Sequence, residues 1–235
     1  MREYREYPPP PALRGLAPCA WRATVRGGSQ HVQRVVPDGC MDLIWTGTEL
    51  MVAGPDTGAF LIPQAPGSVV TGLRFAPGVA PTLLRTPASA VRDQRMPLAE
   101  LDRASAQLAL AQLEQGMPSD QVLAGVALRA VRETGAPEHG PRRAAAMLRA
   151  GTGVASTAAA LGCGTRTLHR WSKTSFGYGP ATLRRVLRFR DALELARRGV
   201  PGAEVAARAG YADQAHLSRE VRALAGVPLR ELLTG

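Results

Sequence analysis

The feature that most constrains this chain is a pattern that occurs twice near its C-terminal end. Leu168-His169-Arg170 superposes on Leu217-Ser218-Arg219, from 170 to 219, a period of 49 residues. In the first copy Val154, Ala158, Leu161 and Cys163 give a short helix one apolar face. Leu161-Gly162-Cys163-Gly164 then turns the chain, with Gly162 where a left-handed residue is needed. Residues 165–175 read as a second helix, with Leu168 and Trp171 inward and Arg166, His169, Arg170 and Lys173 outward; Phe176-Gly177-Tyr178-Gly179-Pro180 ends it. In the second copy Pro201 sits in the first turn of a helix whose apolar face is Val205, Ala206 and Ala209, and Gly210-Tyr211 make the turn. The next helix opens at Ala212 or Asp213 and directs Gln214, His216, Ser218, Arg219 and Arg222 outward. Ala215, Leu217 and Val221 lie on or near its buried side, and Gly226-Val227-Pro228 closes it. Between the copies, 181–198 is long enough for one rigid connecting helix with Leu183, Val186, Leu187, Leu193 and Leu195 as its apolar positions. A helix, a glycine turn and a second helix with a basic outer face is a helix-turn-helix, and the spacing predicts two of them.

Charge agrees with that reading once it is located. Residues 1–139 hold 13 Lys/Arg and 13 Asp/Glu, whereas residues 140–235 hold 16 Lys/Arg against 6 Asp/Glu and so carry the whole net charge of +10. A neutral half joined to a basic half is the footprint expected where the second half meets phosphates. A merely solvated arginine-rich face would give the same count, so the motifs decide. No stretch approaches about 18 uncharged apolar residues, which excludes a membrane span by sequence. The charged start, Met1-Arg2-Glu3-Tyr4-Arg5-Glu6-Tyr7, lacks the apolar core of a secretory signal. Cys19, Cys40 and Cys163 are odd in number and scattered, which argues against a disulfide framework or a zinc site and suits a reducing cytoplasm.

The first ~75 residues alternate short apolar runs with Pro/Gly turns. Strands are expected at 32–36, 41–45, 50–53, 59–62 and 68–75, separated by Pro37-Asp38-Gly39, Thr46-Gly47-Thr48 and Gly54-Pro55-Asp56. From Leu98 the period becomes helical, with a second helix starting at Pro118-Ser119-Asp120. The expected fold is therefore α+β with two domains. Residues 1–136 form a β-rich barrel or sandwich with helices, cupin-like barrels among the candidates, and residues 137–235 form an all-α double helix-turn-helix domain of seven helices.

The second half is where a family resemblance takes hold. Leu161-Gly162-Cys163-Gly164-Thr165-Arg166-Thr167-Leu168-His169-Arg170-Trp171 resembles the first recognition region of AraC/XylS transcription regulators. Ala209-Gly210-Tyr211-Ala212-Asp213-Gln214-Ala215-His216-Leu217-Ser218-Arg219 resembles the second, and Arg188-Phe189-Arg190-Asp191-Ala192-Leu193 is similar to the family's connecting helix. Thr157 stands where Leu is usual, Gly164 replaces a capping Ser, and Glu220-Val221 replaces an aromatic. Val36-Pro37-Asp38-Gly39-Cys40-Met41-Asp42-Leu43-Ile44-Trp45, Ala53-Gly54-Pro55 and Gly72-Leu73-Arg74-Phe75-Ala76-Pro77-Gly78 resemble an uncharacterised domain found ahead of AraC-type domains in bacteria.

The resemblance implies sequence-specific DNA binding that controls transcription, by activation or repression, with no catalytic chemistry and no cofactor. Arg166, His169 and Arg170 fall on positions that reach base edges; Gln214, His216, Ser218 and Arg219 are their equivalents in the second unit. Lys173, Arg184, Arg185 and Arg222 are expected on phosphates. For a sensor cavity the candidates are His31, Arg34, Trp45, Arg74 and Phe75. Asp38, Cys40 and Asp42 read as turn and strand residues, since no His or Lys stands near to make an acid–base pair. A cupin-type metal site is disfavoured because His31 is the only His before His139. The partners expected are double-stranded DNA, a small-molecule effector, RNA polymerase and a second copy in a homodimer, all in the cytoplasm without a membrane. The alternatives are an enzyme fused to a DNA-binding module, such as a DNA-repair alkyl acceptor using Cys40, and a non-specific architectural binder.

Overall fold

The computed structural model describes residues 2–26, 31–135 and 137–234, the side chains of Arg2 and His31 aside. The first half contributes strands β1 (Arg2–Tyr7), β2 (Cys19–Val25), β3 (His31–Val35), β4 (Met41–Trp45), β5 (Leu50–Ala53), β6 (Phe60–Gln64), β7 (Val69–Phe75) and β8 (Arg95–Pro97). Six of them pair antiparallel in the order β1-β2-β7-β4-β5-β8, and β3 pairs with β6 as a separate two-stranded sheet. The larger sheet runs from one free edge at β1 to another at β8. The β-rich expectation with added helices holds, but the barrel alternative is corrected: the strand order does not close on itself.

Period-2 alternation gives this sheet two different faces. On one, Leu43, Leu73, Phe75, Leu50 and Val52 are buried against the helices α1 (Ala80–Leu83), α2 (Leu98–Leu101), α3 (Arg103–Glu114) and α4 (Ser119–Thr134). The other face is set by the register. Glu6 pairs with Trp21, Trp21 with Gly72, Gly72 with Ile44, and Arg74 with both Cys19 and Asp42, so all of these side chains share it. Gly72 is required there because a Cβ would lie 2.2 Å from the Trp21 ring.

Seven helices follow among the described residues: α5 (His139–Arg149), α6 (Val154–Ala160), α7 (Thr165–Phe176), α8 (Pro180–Arg197), α9 (Gly202–Arg208), α10 (Gln214–Ala225) and α11 (Leu229–Thr234). α8 is their hub. Leu183, Val186, Leu187, Phe189 and Leu193 bury nearly all round it, against Val205 and Ala206 of α9 and Leu217, Val221 and Leu224 of α10. A helix that is apolar on most sides is a core helix, which makes α8 a strut rather than a tether. The two halves are packed on each other. Val36 joins the α8 core, Gly78 sits against Phe176, and Gly177 sits against Pro55 and Ala88.

Candidate nucleic-acid interface and the cavity behind it

In α7 the buried stripe is Leu168, Ser172 and Phe176, a strict i, i+4, i+8 series. Trp171, expected inward, is instead 38% exposed on the flank, and the small Ser172 takes the core position. Arg166, His169, Arg170 and Lys173 are exposed as expected. His169 lies against Gly179, where a Cβ would meet its Nε2 at 2.8 Å. The family's usual Leu is replaced by Thr157, which is 0% exposed with its hydroxyl unpartnered among the described residues. Gly164 begins α7 with no side-chain cap, whereas Asp213 caps α10 by accepting the His216 backbone N–H at 2.6 Å.

On α10, Leu217, Val221, Leu224 and Ala225 are buried, while Gln214, Ser218, Arg219 and Arg222 are exposed. Ala215 is also exposed, a correction to its inward placement: the buried arc begins at Leu217. His216 turns back. Its ring stands edge-on to Tyr211 at 5.2 Å, and its Nδ1 accepts the Ala212 N–H at 3.4 Å. Arg185, expected on phosphate, instead bonds Glu220 at 2.7 Å, with Arg188 adding a longer contact to the same carboxylate and lying over the Tyr211 ring. Glu220, where the family has an aromatic, thus ties α10 to α8. The side chains of Arg166, Arg170, Lys173, Arg184, Arg219 and Arg222 have no ion-pair or hydrogen-bond partner among the described residues, so their charge is free to meet another molecule.

Both of these helices are held at their C-terminal ends by an arginine from the first half. Arg92 Nη1 donates to the Gly177 carbonyl at the end of α7 (3.2 Å), and Arg34 Nη1 donates to the Ala225 carbonyl at the end of α10 (2.9 Å). Gly177 and Gly226 are the left-handed residues that close the two helices. A cation there meets both an unspent carbonyl and the negative end of the helix dipole.

Arg34 also lines a cavity of about 1010 Å³ enclosed by the free face of the large sheet, the β3–β6 sheet, α5 and the C-terminal half of α8. Of the expected sensor residues, Arg34 and Arg74 line it. Trp45 and Phe75 do not: neighbours in a strand point to opposite faces, and both pack on the helix-covered side. The side chain of His31 lies outside the described residues. Arg149, Arg190, Arg197, Trp21, Phe60 and Ile62 also line the cavity and escaped the sequence reading. The alternation Cys19-Trp21-Ala23 carried a usable signal, but nothing local points from α8 to the sheet.

Arg74 anchors the cavity floor. Its guanidinium bonds Asp42 at 3.1 and 3.3 Å and reaches Asp38 at 3.4 Å and Glu6 at 3.5 Å. Burial pushes the Asp42 carboxyl up, Arg74 pulls it back, and Asp38 adds to the rise. Burial opposes the charge on Arg74, but Asp42 and Asp38 outweigh it and hold the guanidinium well above its ordinary value. Asp38 is a turn residue as expected, accepting the Cys40 N–H at 2.8 Å. Burial pushes the Cys19 thiol up to about 11 and the Cys40 thiol well above its usual value, so neither is a thiolate nucleophile near neutral pH. Among the described residues no three His, Cys, Asp or Glu come together as a metal site, and no helix is long and apolar enough to cross a membrane.

A model of a domain of unknown function, DUF6597, matches residues 5–97, and a helix-turn-helix domain, HTH_18, matches residues 157–235. No curated protein matches the chain by sequence. Among solved structures it resembles ToxT from Vibrio cholerae O395, with a TM-score of 0.51 at 10% identity over 99% of this chain and 97% of that one. An apo ToxT point variant from V. cholerae strain SCE256 gives 0.52 at 10% identity over 92% and 96% of the two chains. Unsaturated fatty acid bound wild-type ToxT from the same strain gives 0.50 at 11% over 90% and 93%. At these identities the likeness is one of fold, and it spans both halves. The two domain matches carry the assignment: the chain joins a DUF6597 domain to a C-terminal helix-turn-helix domain of the AraC type, and is a DNA-binding transcription regulator of that type.

Proposed function

We propose that the protein is an effector-responsive regulator in which a small molecule in the cavity alters how the two helix-turn-helix units engage DNA. One observation carries this reading: Arg34 is at once a wall of the cavity and the cap of α10. A ligand that draws Arg34 toward itself removes a bond from the recognition helix, and binding energy can shift conformation only through such a differential contact. The ToxT structure with a bound unsaturated fatty acid supports a ligand-binding role for this fold.

On DNA, Arg166, His169 and Arg170 of α7 and Gln214, Ser218 and Arg219 of α10 read bases, while Lys173, Arg184 and Arg222 neutralise phosphates. His216 and Arg185 shape the protein side of the interface. The domains divide at 136/137, the protein acts in the cytoplasm, and no catalytic step belongs to the reading. A homodimer and a contact with RNA polymerase complete it. Selection from a random DNA pool, repeated with a cell extract fraction that holds small molecules, is the test. A defined sequence whose affinity the fraction changes supports the proposal. Binding to random DNA as tight as to any selected sequence contradicts base reading, and an affinity that no fraction changes contradicts effector control. A dimer protects twice the length of a monomer.

A further inference from the structure

The charges that line the cavity do not cancel locally. On the floor, Glu6, Asp38 and Asp42 share the single guanidinium of Arg74, which leaves two carboxylates in surplus. On the α8 side the surplus is positive. Arg190 has only the Asp38 carbonyl, at 3.5 Å, and Arg197 has no partner among the described residues. Arg34, on the α10 side, has only the Ala225 carbonyl among the described residues, and the other ions of the lining are spoken for: Arg95 by Asp56, Arg149 by Asp191 and Glu194 by Arg198. The two poles meet at Arg190 and Asp38. Between them and the β3–β6 sheet the wall is apolar, formed by Trp21, Ile44, Phe60 and Ile62. Two buried polar atoms of the wall residues, the Trp21 indole N–H and the Gln64 amide oxygen, also lack a partner among the described residues.

A plain fatty carboxylate matches only half of this lining. It meets Arg190 and Arg197 but leaves the surplus carboxylates of the floor facing its alkyl chain, and an uncompensated charge beside apolar surface is costly. An alkylamine has the converse fault. We propose that the cavity takes a zwitterion of the α-amino-acid class, its ammonium among Glu6, Asp38 and Asp42, its carboxylate on Arg190 and Arg197, and an apolar side chain against Trp21 and Ile62. An ammonium and a carboxylate on one carbon suit two poles that adjoin, and the volume accommodates a side chain larger than those of the common amino acids. The inference rests on the reading of this cavity as the effector site.

Three probes with one ten-carbon chain separate the possibilities: 2-aminodecanoic acid, decanoic acid and decylamine, each titrated calorimetrically into the full-length protein. The amino acid should bind at least tenfold more tightly than either of the others. Glu6→Gln should erase its advantage over decanoic acid, and Arg197→Gln its advantage over decylamine. Glu6 is half exposed and Arg197 exposed, so neither change threatens folding. Decanoic acid binding as tightly as the amino acid overturns the zwitterion while leaving the cavity as an effector site. Binding by none of the three overturns both.

Discussion

Replacing Arg34 by Ala removes the hydrogen bond that, among the described residues, joins the β3–β6 sheet to the end of α10. A hydrogen bond from a charged donor contributes about 1.5–3 kcal/mol, and a cation at a helix C-terminus about 0.3–1 kcal/mol where it is exposed and up to about 2 kcal/mol where it is partly buried. The Ala225 residue is fully buried, so its carbonyl depends on that donor and a loss of about 2 kcal/mol is expected. At about 1.4 kcal/mol per factor of ten, local opening at the end of α10 should become roughly 30 times more frequent. Hydrogen exchange reads this directly. Amides in the last turn of α10 should exchange faster by that order, while those of α7 stay as they are. Arg92→Ala should do the reverse, because its donor serves Gly177 at the end of α7. Arg34→Lys should recover part of the protection through the remaining charge. If both helices loosen equally in each variant, or neither does, then the two arginines do not cap separate recognition helices and coupling through Arg34 is wrong.

Arg170→Ala and Arg219→Ala should each lose discrimination at particular base pairs by about 1–3 kcal/mol, whereas Arg184→Ala should weaken all sequences alike and lower the salt slope by about 1, as measured by binding to selected and random DNA. Gly72→Ala should destabilise the protein by about 1–3 kcal/mol in denaturant unfolding, because the new methyl meets the Trp21 ring at 2.2 Å. Iodoacetamide at neutral pH should modify the half-buried Cys163 before Cys19 or Cys40, as mass spectrometry of the peptides will report. The Cys19 thiol is raised in the fold, so its contribution to stability is intact below the ordinary thiol range. It should be lost as pH climbs through about 11, which unfolding curves at pH 8 and 11 can compare for the protein and Cys19→Ala.

The helix-turn-helix repeat was legible because it depends on local signals: glycines at turns, apolar residues at helical spacing and a connecting segment of 18 residues. That segment was read one residue late, at 181–198 rather than Pro180–Arg197. β4 and β5 were read residue for residue, since Met41–Trp45 and Leu50–Ala53 are bounded by turn residues on both sides. β1 was missed because Arg2–Tyr7 is an edge strand of charged and tyrosyl residues with no apolar stripe. β2 alternates through Cys19, Trp21 and Ala23, but Ala20 on its opposite face is apolar as well and blurs the pattern. Ser172 defeated the inward reading of Trp171, as size is a poor guide to burial where two helices approach closely. The arginine caps could not be read at all, since their acceptors are backbone carbonyls 85 and 191 residues away.

Footprinting on a site selected from random DNA tests the central claim most directly. α8 holds α7 and α10 apart as one helix of 18 residues, about 27 Å long at 1.5 Å per residue. Successive major grooves on one face of the duplex recur every ~34–36 Å. The account predicts two protected segments centred about 10 bp apart within an asymmetric site, because Arg166, His169 and Arg170 read different bases from Gln214, Ser218 and Arg219. A single short protected segment, unchanged when Leu187→Pro breaks α8, would contradict it.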